Sequence, residues 1–316
     1  MNLLRLTATL SLAFLAAFTC AQASPAPLAG SAPAAPPRIL SLHPLLTELA
    51  LALADPGVTV TGLVRGGVDP HTFDPSPADA RLLARADLIL ASGLGLETYL
   101  DKILAATGAR ARLFIAGDAL GSLLLTHSVA HAHHGAAHAH PQSEPDPHWW
   151  HSISATRAVA TALAARLAQL TPAEAPAINA RLSALLTRLD ALAVWAAATA
   201  ATIPADRRQL VTTHDAFGYL ARDYGFTVRP INGLSTESET SARHFAELAT
   251  LIRREKIPAI FAELDGNSRL IEQLVRETGV RLGGTLVADG LALDGPASNY
   301  EGMIRQNLTT LATALR

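Results

Sequence analysis

One cysteine occurs in 316 residues, at position 20, inside the stretch read below as a removable leader. A chain without that residue has neither a disulfide framework nor a thiolate ligand, so any metal site must be built from histidine and carboxylate. Charge is also sparse. Charged residues make up 16%, and 25 Lys+Arg against 27 Asp+Glu leave a formal charge of -2. That balance gives no basic face for nucleic acid and no polybasic membrane patch, and it excludes nucleic acid as a partner. Long apolar runs are missing too. The run from about Leu6 to Phe18 is shorter than the roughly 20 residues that span a bilayer.

That run follows Arg5 and precedes Ala21-Gln22-Ala23, a pattern that predicts a signal peptide over 1–23 cleaved after Ala23. A lipoprotein anchor on Cys20 is the rival; Phe18 and Thr19 stand where that motif prefers small residues. Cleavage removes Arg5 and no acidic residue, so the formal charge of -2 becomes one unit more negative. Residues 24–37, SPAPLAGSAPAAPP, are a Pro/Ala linker unable to pack a core.

From Arg38, short apolar runs alternate with amphipathic stretches: RILSL, PLLTELALAL, VTVTGLV, PADARLLARA, DLILAS, LETYLDKILAAT, RLFIA. The second half repeats the alternation with RQLVTTH, AFGYLARDYG, TVRPI, SARHFAELATLIRREK, PAIFAEL, SRLIEQLVRETG, GTLVAD and NYEGMIRQNLTTLATAL. Strand and helix in turn predict an α/β protein of two lobes with mainly parallel sheets, over 38–170 and 204–316. With 49% hydrophobic residues there is material for two cores. Between the lobes, 171–203 is expected as one linking helix, with Thr171 as N-cap, Pro172 at the first position and Leu182, Leu185, Leu186, Leu189, Leu192 and Ala193 on one face. A surface helix of one lobe is the alternative.

Histidine is where this chain is rich. Eight of its twelve fall between His127 and His151. His127, His131, His133, His134, His138 and His140 form a polar, alanine-padded loop within 127–147, and Asp146-Pro147-His148-Trp149-Trp150-His151 follows. Imidazole is the commonest ligand for divalent transition metals, so the cluster points to metal handling. The tripeptide Asp-Pro-His recurs at Asp69-Pro70-His71, where flanking prolines hold the backbone nearly rigid around the ring. His214 and Asp289 both fall at the carboxyl ends of expected strands, where open α/β sheets place ligand crevices. His214 is expected to lead into a helix capped by Asp215. Three imidazoles and one carboxylate, two residues from each lobe, suit tetrahedral Zn²⁺ better than Mn²⁺. Glu263, ending PAIFAEL, is a candidate acceptor for the other N–H of a ligating ring. His43, His151 and His244 are read as structural: His43 in the core or at a rim, the other two on the surface, with an accessory metal ligand as the alternative for His151.

DPHTFDPSP at 69–77, DPHWW at 146–150, THDAFGYLARDYGF at 213–226, ETG at 277–279, ADGL at 288–291 and NYEGMIRQN at 299–307 occur in order. Over Arg38 to Arg316 the chain resembles the solute-binding proteins of bacterial zinc and manganese ABC importers, the cluster A-I family, in its zinc-type branch. The resemblance implies two α/β lobes joined by a rigid backbone helix, with metal in the interlobe cleft. It implies His71, His148, His214 and Asp289 as the ligands, His127 to His140 as an auxiliary zinc loop, an inner-membrane ABC permease as partner and a periplasmic location. His151 departs from the pattern, since relatives carry other residues after the aromatic pair. The expected protein is a monomeric, non-enzymatic binder of Zn²⁺. The alternatives are a manganese or iron importer component, a periplasmic zinc chaperone or partner of one, and a zinc hydrolase.

Overall fold

The computed structural model describes residues 35–129, 142–238, 240–264, 266 and 268–316. The leader and most of the linker therefore lie outside the described residues, as do His131, His133, His134, His138 and His140. Residues 36–316 form one compact unit.

The first half runs β1 (Arg38–Ser41), α1 (Pro44–Leu53), β2 (Thr59–Gly62), α2 (Pro77–Arg85), β3 (Leu88–Ala91), α3 (Leu100–Thr107) and β4 (Leu113–Ile115). These are the seven segments legible in the alternation. All four strands are parallel, in the order β2-β1-β3-β4, with Ile39 paired to both Val60 and Leu88. The central strand β3 is buried along its length, whereas edge strand β2 alternates exposed and half-buried residues. Local chemistry sets the helix starts. Ser76 and Asp79 form a reciprocal capping box at α2, with Pro77 just inside it.

A second, antiparallel element follows: β5 (Thr126–Val129) pairs with β6 (Gln142–Pro145) as the two arms around residues 130–141. A 3₁₀ turn, Trp149–His151, leads into α4 (Ile153–Leu170), whose Ser152 cap accepts from the amide of Ala155.

The helix expected over 171–203 is a helical segment from Pro172 to Ala201 whose first turn is 3₁₀. Thr171 closes α4, residues 172–174 make a 3₁₀ turn, and α5 runs Ala175–Ala201, about 40 Å at 1.5 Å per residue. Its N-cap position is Glu174, with no side-chain cap bond, and Pro176 sits in the first turn where its missing N–H costs nothing. One face carries Leu185, Leu189, Leu192 and Ala196 into the interior. That face packs on α1 and α4 from the first half, and on α6 (Gly218–Tyr224) and α9 (Tyr300–Leu315) from the second. The alternative of a surface helix belonging to one half does not hold.

The second half comprises β7 (Gln209–Thr212), α6, β8 (Thr227–Pro230), α7 (Ala242–Glu255), β9 (Ala259–Glu263), α8 (Arg269–Thr278), β10 (Arg281–Leu286) and α9. β7 pairs parallel with β8 and β9 parallel with β10, and β7 lies alongside β9. One apolar cluster runs through both halves, from Ile39 and Leu88 through Leu163 and Leu192 to Phe261 and Leu311. A core shared in this way resists separation of the halves, because opening them would return apolar surface to water.

Candidate metal centre

His71, His148, His214 and Asp289 each offer one ligand atom, and the four atoms lie within 4.8 Å of one another. His71 Nε2 is 3.2 Å from His148 Nε2. Asp289 Oδ1 is 3.4 Å from both of those nitrogens and 3.2 Å from His214 Nε2. An ion bonded at 2.0 to 2.1 Å to four tetrahedral donors spaces those donors about 3.3 to 3.4 Å apart. Four of the six donor separations are thus close to the edge of a zinc tetrahedron.

Each half positions its pair differently. In the first half the Asp-Pro-His turns fold back on themselves. Asp69 Oδ1 accepts from the His71 amide at 2.8 Å, and Asp146 Oδ1 accepts from the His148 amide at 2.9 Å. The same Asp146 oxygen takes the Nδ1–H of His148 at 2.8 Å. Sequence reasoning used the repeat only as evidence of rigidity and missed Asp146 as the partner of the ring. The signal was present, since both tripeptides place an aspartate two residues before the histidine.

In the second half the ligands come off strand ends. His214 lies two residues beyond β7, and Glu263, the last residue of β9, grips it twice. Glu263 Oε2 accepts from His214 Nδ1 at 2.6 Å and Oε1 from the His214 amide at 3.1 Å. This is the role anticipated for Glu263. A carboxylate only accepts, so in both His148 and His214 Nδ1 carries a proton, which leaves Nε2 as the nitrogen free to give up its own proton and ligate a metal. Asp215 does not cap the next helix, because α6 starts three residues later at Gly218, with Phe217 at the cap position. Asp289 lies three residues past β10 and faces the imidazoles. Gly290 turns the chain immediately after it, at φ +138°, and passes so close to α1 that an added Cβ would stand 3.1 Å from Pro44.

His148 and His214 are fully buried, Asp289 is 2% exposed and His71 6%. Burial alone would depress both inner imidazoles. For His148, hydrogen bonds to Asp146 and Asp289 overcome it and raise the pKa; for His214, the charges of Asp289 and Glu263 raise it well above 6.5. Asp289 is held well below the usual carboxylate range, because the surrounding imidazoles outweigh its burial. Such mutual stabilisation of charge is what a cation would replace. His71, the most exposed of the four, lines a cavity of about 450 Å³ with Leu94, Gly95, Glu144, Pro145, Pro147, Leu234, Ser235 and Ser238. Both halves contribute to its walls, and β6, one arm of the histidine-rich loop, reaches it.

Two expectations about other histidines divide. His244 is exposed and bonds the Pro230 carbonyl, as a surface residue would. His151 is not a surface residue: it is fully buried against Phe217, with ring centroids 4.6 Å apart, and pairs with the Ala288 carbonyl at 2.9 Å. Both partners belong to the other half of the chain, so no local pattern announced them. His43 is buried as expected, its Nδ1 accepting from the amide of Leu45 at the start of α1.

The family described as "Zinc-uptake complex component A periplasmic" matches residues 41–314. The zinc-binding protein TroA of Treponema pallidum is 33% identical over 285 residues, covering 88% of this chain and 89% of its own. The manganese-binding lipoprotein MntA of Bacillus subtilis is 32% identical over 265 residues, covering 82% and 83%. Among solved structures, the periplasmic zinc-binding protein TroA from Treponema pallidum superposes with a TM-score of 0.80 at 31% identity, over 89% of this chain and 99% of that one. A match across almost every described element, on a fold with the same architecture, places this chain in the family of periplasmic A components of zinc-uptake complexes.

Proposed function

We propose that the protein captures Zn²⁺ outside the inner membrane and passes it to an ABC-type permease for uptake. His71, His148, His214 and Asp289 are the ligands in this reading, with Glu263 and Asp146 orienting two of the rings. The single observation that carries it is the convergence of four buried donors from both halves, with four of their six separations at 3.2 to 3.4 Å, close to the edge of a zinc tetrahedron. The donor set is closed: Asp289 takes the corner that a zinc hydrolase leaves to water, which supports a binder and not an enzyme. Zinc is favoured over manganese because three of the four donors are imidazoles, and manganese prefers more oxygen. The relative MntA, named as manganese-binding, makes manganese the second reading.

Export by a leader cleaved after Ala23, lobes over 38–170 and 204–316, and a monomeric state belong to the same proposal. So does weak, multiple zinc binding by His127, His131, His133, His134, His138 and His140.

Titration of the mature protein at neutral pH, with a chelator as competitor, should show one tight stoichiometric zinc site. Manganese should fail to displace zinc from it. No tight site, or equal competition by manganese, would overturn the reading.

A further inference from the structure

We infer that His151, together with Trp150, is a positioning residue for Asp289: the two rings clamp the carbonyl of Ala288 from the opposite half of the chain and so set the distance of the fourth ligand from the three imidazoles. The inference rests on the zinc-binding reading above.

The need for a clamp arises where β10 ends. Leu286 is the last residue with a ladder partner, and its carbonyl accepts from Leu264. The next three residues, Val287 to Asp289, carry the ligand beyond the sheet, and side chains take over from the ladder. Asn307, on α9, accepts from the Val287 amide at 2.9 Å and donates to its carbonyl at 2.8 Å. The Ala288 carbonyl receives Trp150 Nε1–H at 2.7 Å and His151 Nε2–H at 2.9 Å. Both donors are fully buried, and they stand two and three residues after His148 in sequence. One short segment therefore supplies one ligand and holds the backbone of another, 138 and 137 residues away.

His151 is a poor choice for packing alone. Its Nδ1 is buried with no hydrogen-bond partner, a penalty that a phenyl ring of similar shape would not carry. Burial also pushes its pKa down to about 3, so the ring is neutral and Nε2 keeps its proton for Ala288. Among the described residues, the one hydrogen bond the ring makes is to the residue before the ligand.

The test compares His151→Phe, His151→Gln and Trp150→Phe with the wild type. Zinc affinity, melting temperature of the metal-free protein and the visible spectrum of the Co²⁺ form are the readouts. His151→Phe should weaken zinc by about threefold to tenfold, as loss of one buried hydrogen bond allows, and shift the Co²⁺ bands without lowering the metal-free melting temperature. Trp150→Phe should give the same spectral shift, and His151→Gln, which keeps a donor, should move back toward wild type. In an Asp289→Asn background the His151→Phe effect should vanish, since it acts through that ligand. Wild-type affinity and an unchanged Co²⁺ spectrum in His151→Phe, or full additivity with Asp289→Asn, would overturn the inference. A wild type with no tight zinc site removes the underlying reading and this one with it.

Discussion

The two halves hold an imidazole at one point in space by opposite means. In the first, His148 is braced by Asp146, two residues away, and the whole device fits in a tripeptide. In the second, His214 is braced by Glu263, 49 residues away on a neighbouring strand. A local brace is formed as soon as the turn forms, whereas a strand-end brace exists only once β7 and β9 lie side by side. The first half thus carries preformed ligands on rigid loops, and the second carries ligands whose geometry reports the state of the sheet.

The largest expected effect is common to both halves. His71→Ala and His214→Ala should each weaken zinc by more than the ~100-fold that marks loss of a supporting partner, and a chelator competition assay reads it directly. Replacing the braces comes next: Asp146→Asn and Glu263→Gln should each cost about 10- to 100-fold in affinity. The comparison is sharpened by denaturant. Under mild urea that loosens tertiary packing, the affinity of Asp146→Asn should fall with the wild type's slope, whereas Glu263→Gln should show a shallower one because its long-range brace is already gone. Equal slopes would mean that the distinction between local and strand-end bracing has no energetic content.

Dependence on pH separates two other sets of rings. His43 and His151 are neutral in the fold, pushed from 6.5 to about 3 by burial. The unfolded chain binds the extra protons, so their contribution makes the protein less stable as pH falls from 6.5 toward 3. His148 and His214 are raised instead, so the stability they give the metal-free protein is complete below 6.5 and is lost as pH rises through their folded values. Melting curves across pH should therefore show a shallower acid arm in His151→Phe. Saturating zinc should flatten the contribution of His148 and His214 at higher pH, because the metal replaces their protons.

The smallest effect concerns the cavity at His71. Thr236 donates to Asp69 Oδ2 at 2.7 Å, tying a loop of the second half to the turn that carries His71. Thr236→Val should speed zinc dissociation by about twofold to tenfold in stopped-flow chelation, with little change in melting temperature. An unchanged rate would show that this link does not restrain the turn.

Much of this was legible in the chain itself. The alternation located seven elements of the first half and eight of the second, because strands buried in parallel sheets read as continuous apolar runs and capping residues mark helix starts. The four site residues were legible through the repeated Asp-Pro-His and the strand-end positions. What escaped has a common cause. His151 reads as polar and exposed next to a histidine-rich loop, and only Ala288 and Phe217, distant in sequence, bury it. Thr171-Pro172 does open the helical segment that runs on to Ala201, but its first turn is 3₁₀ and Thr171 also ends α4, so the α-helix proper begins at Ala175. α4 was passed over because its buried stripe, Ile153, Thr156, Val159, Leu163 and Leu167, is set among alanines on both faces and so stands out weakly.

The ladder between β5 and β6 has a consequence for anyone who wishes to engineer this protein. Its rungs run from Val129 and Gln142 to Thr126 and Pro145, and the amide of Asp146 adds one more to the Leu125 carbonyl. The Asp-Pro-His turn at 146 to 148 is therefore registered against Leu125 and not against whatever joins the two arms. A reporter or a different metal trap grafted between Val129 and Gln142 would enter at the far end of this ladder, with the ligand turn at its near end left in register.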